Sequence, residues 1–157
     1  MHVADRLRHY LEDQHVTCDL VPHPRTLTAM QSAHAAHVPS DCMAKAVVVH
    51  HELGYVLAVV PSTHRIELGA LQDVLDRRLG LATEDEVSNL FKDCEVGAVP
   101  ALGAPYGVPV VLDDALDGAK EVWFEGGDHE TLVHMSGEAF RQLTKDAKRA
   151  RFSHRAS

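Results

Sequence analysis

Cysteine is scarce in this chain, which has three among its 157 residues: Cys18, Cys42 and Cys94. An odd number without a C-x-x-C pair argues against a disulfide framework and against a zinc cluster. Histidines number twelve, but no H-E-x-x-H motif or mixed Cys/His ligand set accompanies them. We therefore expect buried thiols, no metal and no other cofactor.

Long apolar runs are absent as well. No stretch approaches the roughly 18 apolar residues of a membrane span, and residues 1–6 open a polar helix rather than an apolar export signal. We expect a cytoplasmic protein with no membrane partner. A composition of 45% apolar and 24% charged residues suits one globular domain over residues 1–157, built around a single core.

The chain also lacks an overall positive charge. Its formal net charge is -8, and residues 1–140 hold 22 acids and 9 bases. A general nucleic-acid binder would need the opposite field. Residues 141–157 differ, because they hold one acid and six bases. This basic segment is interpreted either as the solvated face of a C-terminal helix or as an edge that contacts phosphates. Its cations are Arg141, Lys145, Lys148, Arg149, Arg151 and Arg155.

Helical and extended patterns alternate irregularly along the chain. Apolar periodicity and capping residues predict helices over residues 3–14, 28–37, 68–79 and 83–91, and a last helix from Ser136 to about residue 147. Extended patterns predict strands over residues 18–21, 46–51, 55–60, 109–112, 121–124 and 131–135. Several links are too short for parallel crossovers. We therefore predict an α/β fold with a mixed, mainly antiparallel sheet or barrel surrounded by helices.

Lys45 is the leading candidate for a functional residue. It runs directly into the apolar stretch 46–49, so its ammonium is predicted at the mouth of a buried strand. Low-dielectric surroundings would strengthen its attraction for an anion or a polarised carbonyl. The alternative is an ordinary surface lysine whose stem covers apolar neighbours.

Two glycine-rich segments could complete a site with Lys45. Residues 97–107 contain three glycines and two prolines, a composition that can turn backbone amides toward a carbonyl oxygen, a carboxylate or a water. A plain surface loop fits the same composition. His129 follows Gly126-Gly127 and is either a rim histidine that positions a water or ribose hydroxyl, or a solvent-facing turn residue.

Ser62 follows a predicted strand, but no acid is spaced for a Ser/His/Asp triad, so we predict no covalent serine nucleophile.

Several separate motifs resemble the YbaK/ProX family of aminoacyl-tRNA deacylases, which includes the editing domains linked to prolyl-tRNA synthetases. The resemblance covers about residues 20–143, and the order and approximate spacing of the motifs agree. The matching stretches are Pro24-Arg25-Thr26, Val38-Pro39, Met43-Ala44-Lys45-Ala46-Val47-Val48-Val49, Tyr55-Val56-Leu57-Ala58-Val59-Val60-Pro61, Glu95-Val96-Gly97-Ala98-Val99-Pro100, Gly103, Tyr106-Gly107-Val108-Pro109-Val110 and Val122-Trp123-Phe124-Glu125-Gly126-Gly127-Asp128-His129.

This resemblance implies hydrolysis of the ester that joins a wrong amino acid to the terminal adenosine of a tRNA. The tRNA acceptor end would be the substrate, and a prolyl-tRNA synthetase is a candidate partner. Catalytic roles are implied for Lys45, Gly97, Gly103 and His129: the lysine would hold a phosphate or the ester carbonyl, the loop amides a substrate or water, and the histidine would position them. Substrate-binding roles are implied for Thr26, Ala46, Pro61, Ser62, Pro100, Leu102, Tyr106, Gly107, Gly127 and Asp128.

Two departures from the family pattern bear on the substrate. Ala46 stands where many relatives carry a polar residue, often Asn, and Ala101-Leu102 replaces a common Pro-Phe. These changes leave hydrolysis of mischarged tRNA-Pro as the expectation, with alanine first and cysteine or serine next. A pocket that measures size gains only about 1–3 kcal/mol per methylene, so small residues are hard to separate. The alternative is a module that binds charged tRNA or a synthetase without turnover.

Overall fold

The computed structural model describes residues 3–156, which form five α-helices and ten strands. The helices are α1 (Asp5–Asp13), α2 (Ala29–Ala35), α3 (Leu68–Leu75), α4 (Glu84–Leu90) and α5 (Gly137–Leu143). The strands are β1 (Asp19–Pro22), β2 (Met43–His51), β3 (Gly54–Pro61), β4 (His64–Ile66), β5 (Gly80–Leu81), β6 (Val110–Asp113), β7 (Glu121–Glu125), β8 (Thr131–Ser136), β9 (Lys148–Ala150) and β10 (Ser153–Arg155).

One large mixed sheet carries most of these strands. Its order is β1-β8-β7-β2-β3-β6-β9, with β5 paired to β2 beside this path, while β4 and β10 form a separate antiparallel pair. Neighbours close in sequence run antiparallel, as β2 and β3 do over eight residue pairs. The parallel pairs β2/β7, β3/β6 and β6/β9 join segments that are distant in the chain. The prediction of a mixed, mainly antiparallel sheet with helices is confirmed.

Side-chain caps fix where three of the helices begin. The hydroxyl of Thr28 accepts the amide of Gln31 at the start of α2, and the hydroxyl of Ser136 accepts the amide of Ala139 at the start of α5. At α4, Thr83 and Glu86 accept each other's backbone amides in a full capping box.

Two helices end earlier than their apolar pattern predicts. Helix α3 stops at Leu75 because Asp76 adopts a left-handed φ of 52°. Helix α5 stops at Leu143, and β9 follows where the sequence predicts more helix. Strand β9 pairs with β6, and the guanidinium of Arg149 donates to the carbonyls of Thr144 and Ala147. Tertiary pairing therefore overrides local helical preference here.

Three of the six cations in the basic segment lie on β9 and β10 rather than on the predicted helix face. Several of its cations are bound within the chain: Lys148 Nζ donates to the carbonyl of Val74, and Arg155 binds the carboxylate of Asp41. These contacts tie the C-terminal strands to the rest of the fold. They account for part of the local positive charge without a phosphate partner.

Apolar side chains cover both faces of the sheet. On one face Leu7, Leu11 and Phe140 pack with Phe124 in the larger core, and on the other Leu71 packs with a smaller group. Cys18, Cys42 and Cys94 are half-buried rather than fully buried. Burial raises the pKa of the Cys94 thiol to about 12, so the thiol stays protonated at neutral pH.

Candidate active site

Strand β2 is paired incompletely along one edge. Strand β7 pairs with it at Met43 and Ala44, and β5 pairs with it at Val49 and His50. The interval 45–48 therefore has no neighbouring strand on this side within residues 3–156, although Val48 O accepts a hydrogen bond from Ala82 N. This opening exposes strand backbone to a ligand without unfolding any element. We call it the strand gap.

A small cavity occupies the strand gap. Its volume is about 220 Å³, and its lining includes Thr28, Lys45, Ala46, Gly97 and Glu125. A second cavity of about 220 Å³ adjoins it and shares Ala46 and Gly97 in its lining. Each volume is below the range of about 300–1,000 Å³ for pockets that hold drug-sized ligands. The gap therefore suits a compact group, or the end of a larger molecule.

Lys45 is half-buried on the wall of this cavity. Its Nζ donates to the carbonyl of His64 at 2.9 Å. Burial lowers the pKa of the Lys45 ammonium, and the positive charge of Arg65 lowers it further. A neutral carbonyl stabilises the ammonium charge less than an anion would. An incoming phosphate, or a carbonyl oxygen on which negative charge develops, could therefore replace this partner favourably.

The loop at Gly97 forms another part of the cavity lining. Gly97 has a left-handed φ of 86°, and a Cβ there would lie 3.1 Å from His129 Cε1 and 3.2 Å from Leu27 O. His129 is 3% exposed and its Nε2 lies 2.6 Å from Val96 O. Because a carbonyl only accepts, we assign the proton to Nε2. His129 thus packs beside Gly97 and hydrogen-bonds the loop at Val96.

Glu125 is a site residue that the sequence reasoning did not select. It ends β7, is 3% exposed and lines the cavity with Lys45. Among the described residues, neither carboxylate oxygen has a hydrogen-bond partner. Burial raises the pKa of Glu125 to about 7, and the charge of Asp128 adds to the effect. The Ser32 hydroxyl, which is also hydrogen-bonded to Thr26 Oγ1, favours the charged carboxylate and opposes part of this shift.

The signal for Glu125 was present in the sequence as an acid that ends an apolar strand just before Gly126-Gly127. Its place in the candidate site depends on the strand gap, which cannot be recognised from the sequence pattern.

Comparison with known proteins identifies the family. The sequence pattern of the aminoacyl-tRNA editing domain matches residues 23–143. This chain belongs to the aminoacyl-tRNA editing domain family.

Solved structures share the fold of this editing domain. One described as a proposed trans-editing enzyme for prolyl-tRNA synthetase is 30% identical, with a TM-score of 0.84 and 96% of each chain covered. One described under computational epitope grafting onto scaffold proteins is 28% identical, with a TM-score of 0.84 over 96% of this chain and 97% of that one. The hypothetical protein APE2540 is 23% identical with a TM-score of 0.84, over 96% and 100% of the chains, which shows the fold alone. No curated protein matches this chain.

Other predicted site residues of the editing domain shape the surroundings of the strand gap. The Ser62 hydroxyl donates to Ser40 O, and Pro61 pairs with Ala44 at the end of β3. Both contacts fix the turn that leads to His64, whose carbonyl accepts from Lys45. The amide of Thr26 donates to His129 O. These contacts are structural supports for the cavity wall.

The turn before His129 is built by Gly127 and Asp128. Asp128 Oδ1 accepts the amides of Glu130 and Thr131, and Oδ2 accepts the hydroxyl of Thr131. Gly127 has a φ of 112°, and a Cβ there would lie 3.0 Å from Ala4 Cβ. Both residues therefore hold His129 in place.

A third group of predicted residues lies elsewhere. Gly103 and Leu102 line a separate cavity of about 380 Å³. A Cβ on Gly103 would lie 2.0 Å from Val108 O, so close backbone packing explains this glycine. Tyr106 is buried and donates to Asp93 Oδ1 at 2.8 Å. Two others line neither cavity of the strand gap: the buried Pro100 and the exposed Gly107.

The described residues meet neither the requirements of a metal site nor those of a membrane-spanning helix. Among residues 3–156, no three His, Cys, Asp or Glu side chains are grouped so as to hold a metal ion. The same residues include no helix with the length and apolar character that crossing a membrane requires.

Replacing Gly97 with alanine tests the loop geometry. A side chain in left-handed backbone is unfavourable by about 1–2 kcal/mol, and the new methyl would also press on His129 and Leu27 O. We expect deacylation of a mischarged tRNA to fall at least about tenfold, as displacement of a site by 1 Å can do.

The matched control is Gly118→Ala. Gly118 has nearly the same φ, 87°, with nothing within 4 Å of its added Cβ. Urea unfolding should show a stability loss in both variants, larger for Gly97→Ala because of its added contacts, and deacylation kinetics should show an activity loss confined to Gly97→Ala. Equal activities would mean that the Gly97 loop takes no part.

Proposed function

We propose that this editing domain is a trans-editing deacylase that hydrolyses the ester of mischarged tRNA. The substrate we propose is tRNA-Pro that carries a small amino acid, alanine first and cysteine or serine next. The single observation that supports this best is the cavity that Lys45 and Gly97 line together, which places a half-buried cation beside glycine backbone at the scale of a small acyl group.

The chemistry requires water to add to the ester carbonyl, after which the bond between the acyl carbon and the ribose oxygen breaks. Negative charge grows on the carbonyl oxygen, or remains on the adjacent phosphate, as the reaction proceeds. Lys45 would stabilise either one after leaving His64 O. The amides of the Gly97 loop would hold the acyl group or the water.

Ala46 gives the cavity a small apolar wall where many relatives have a polar side chain. This wall fits an uncharged acyl side chain of limited size, and it does not separate alanine from serine or cysteine strongly. Recognition of the tRNA would come from elsewhere. The net charge of -8 favours few phosphate contacts, so delivery by a prolyl-tRNA synthetase in the cytoplasm would supply affinity that the domain lacks.

A panel of charged tRNAs tests this function. The purified protein should release alanine, serine or cysteine from tRNA-Pro much faster than spontaneous hydrolysis, and should spare correctly charged prolyl-tRNA. The measurement is the loss of labelled aminoacyl-tRNA with time, with and without prolyl-tRNA synthetase. The same mischarged amino acids on other tRNAs would show whether the tRNA itself is recognised.

Ala46 supports a second candidate, a module that binds charged tRNA without turnover, because the usual polar residue is missing from the cavity. The same panel separates the two. A binding module would slow the spontaneous loss of the ester, whereas a deacylase would accelerate it.

A further inference from the structure

We infer that Glu125 binds the α-ammonium group of the aminoacyl ester and thereby restricts the site to acyl groups with a free amine. The inference rests on the proposed deacylase function and adds a specificity determinant to it. It concerns a part of the substrate that all amino acids share, so it is independent of which side chain is edited.

The first support is the position of the carboxylate. Glu125 lies on the wall of the same cavity as Lys45 and Gly97, with 3% of its surface exposed. Both of its oxygens lack a hydrogen-bond partner in the part of the chain that the structure describes. A buried carboxylate left in this state is unfavourable, and a cationic donor that enters the cavity would relieve it.

The second support is the kind of group that faces Glu125. His129 Nδ1 lies 3.7 Å from Glu125 Oε2 and has no partner among the described residues. The Nε2–H of His129 donates to Val96 O, so in the neutral imidazole Nδ1 presents a lone pair to the carboxylate. When Glu125 is ionised, its carboxylate and this nitrogen are therefore two acceptors that face each other without a donor between them. Asp128 contributes further negative charge.

A primary ammonium matches this arrangement. It carries one positive charge and three donors, and the α-amino group of an amino acid is largely protonated at pH 7 because its pKa is about 8. The cavity lining also includes both charge types, with Lys45 for the electron-rich carbonyl or phosphate and Glu125 for the ammonium. An aminoacyl ester has both features a few bonds apart.

The test compares two esters that differ only at this group: alanyl-tRNA-Pro and lactyl-tRNA-Pro, in which a hydroxyl replaces the ammonium. Each enzymatic kcat/KM is divided by the spontaneous hydrolysis rate of that ester, because the ammonium itself activates the ester. For the wild-type protein we expect the alanyl ester to be preferred by about 10- to 100-fold, the range for a hydrogen bond to a charged group.

Glu125→Gln keeps the shape and removes the charge, so we expect the preference to fall to within about threefold of unity. The matched control is Glu121→Gln, on the same strand, whose carboxylate is exposed and pairs with His134. This control should keep the wild-type preference. Circular dichroism and urea unfolding of each variant would establish that the fold is intact.

Three results would overturn the inference while leaving the deacylase function in place. In the first, the wild-type protein hydrolyses both esters equally well. In the second, Glu125→Gln keeps the full preference for the alanyl ester. In the third, Glu125→Gln hydrolyses both esters more slowly by the same factor. The last result would mean that Glu125 acts on water or the ester instead. Failure of the wild-type protein to hydrolyse any mischarged ester would instead overturn the proposed function.

Discussion

Replacing Lys45 with alanine should lower kcat/KM for deacylation by at least about 100-fold, the loss typical of removing one preorganised donor for developing negative charge. The ammonium is half-buried and, in the unliganded protein, contacts only a neutral carbonyl in the described hydrogen bonds. Charge that grows on the substrate would therefore gain most from it. Kinetics with mischarged tRNA-Pro would measure the effect.

The fold should tolerate this change. Lys45→Ala removes one hydrogen bond to His64 O and relieves the desolvation of an ammonium, so we expect the free energy of unfolding to change by less than about 1.5 kcal/mol. Lys92→Ala, at an exposed position, is the matched control and should retain full activity. A Lys45→Ala protein that deacylates at the wild-type rate would remove this residue from the mechanism.

Helix starts in this protein could be predicted from sequence, whereas the ends of α3 and α5 could not. Thr28, Thr83 and Ser136 each accept a nearby backbone amide, so a few local residues are enough to specify the start. The end of α5 depends on β9 pairing with β6 and on contacts of Arg149 with preceding carbonyls. Those partners are distant in sequence or become close only after folding.

The residues of the candidate site also fall into two groups: those that sequence motifs indicate, and those whose place in the site depends on the fold. Lys45 and Gly97 were recognisable from motifs, and they line one cavity. Gly103 belonged to the same motif, but its close approach to Val108 O depends on how the loop folds back. Glu125 gains its proposed role from the strand gap, because its buried carboxylate lines the cavity there. Local sequence does not specify which strand edge stays unpaired.

Glu125→Gln should stabilise the protein above neutral pH. The carboxyl has an ordinary pKa of 4.5 and a pKa of about 7 in the folded protein, mainly because burial disfavours its charge. The folded state therefore holds this proton more tightly than the unfolded state does. Below pH 4.5 the group is protonated in both states and has little effect. As pH rises from 4.5 to 7 it destabilises the fold increasingly.

The size of this effect follows from the shift in pKa. A pKa raised from 4.5 to about 7 lowers the free energy of unfolding by roughly 3 kcal/mol once the pH exceeds 7. Glutamine has no such titration, so the stability difference between Glu125→Gln and wild type should grow by about that amount from pH 4 to pH 8. Urea unfolding at several pH values would measure it, with Glu121→Gln as the exposed control.

A pH-independent difference would show that Glu125 has an ordinary pKa and that its carboxylate is solvated or paired. The titration also links stability to substrate binding. An ammonium bound at Glu125 would favour the charged carboxylate and lower its pKa. A non-hydrolysable alanyl ester analogue should therefore stabilise the wild-type protein more at pH 7 than at pH 5, a range over which its ammonium stays largely protonated. Glu125→Gln should lose that pH dependence, because only the wild-type carboxylate has an unfavourable charge for the ligand to neutralise.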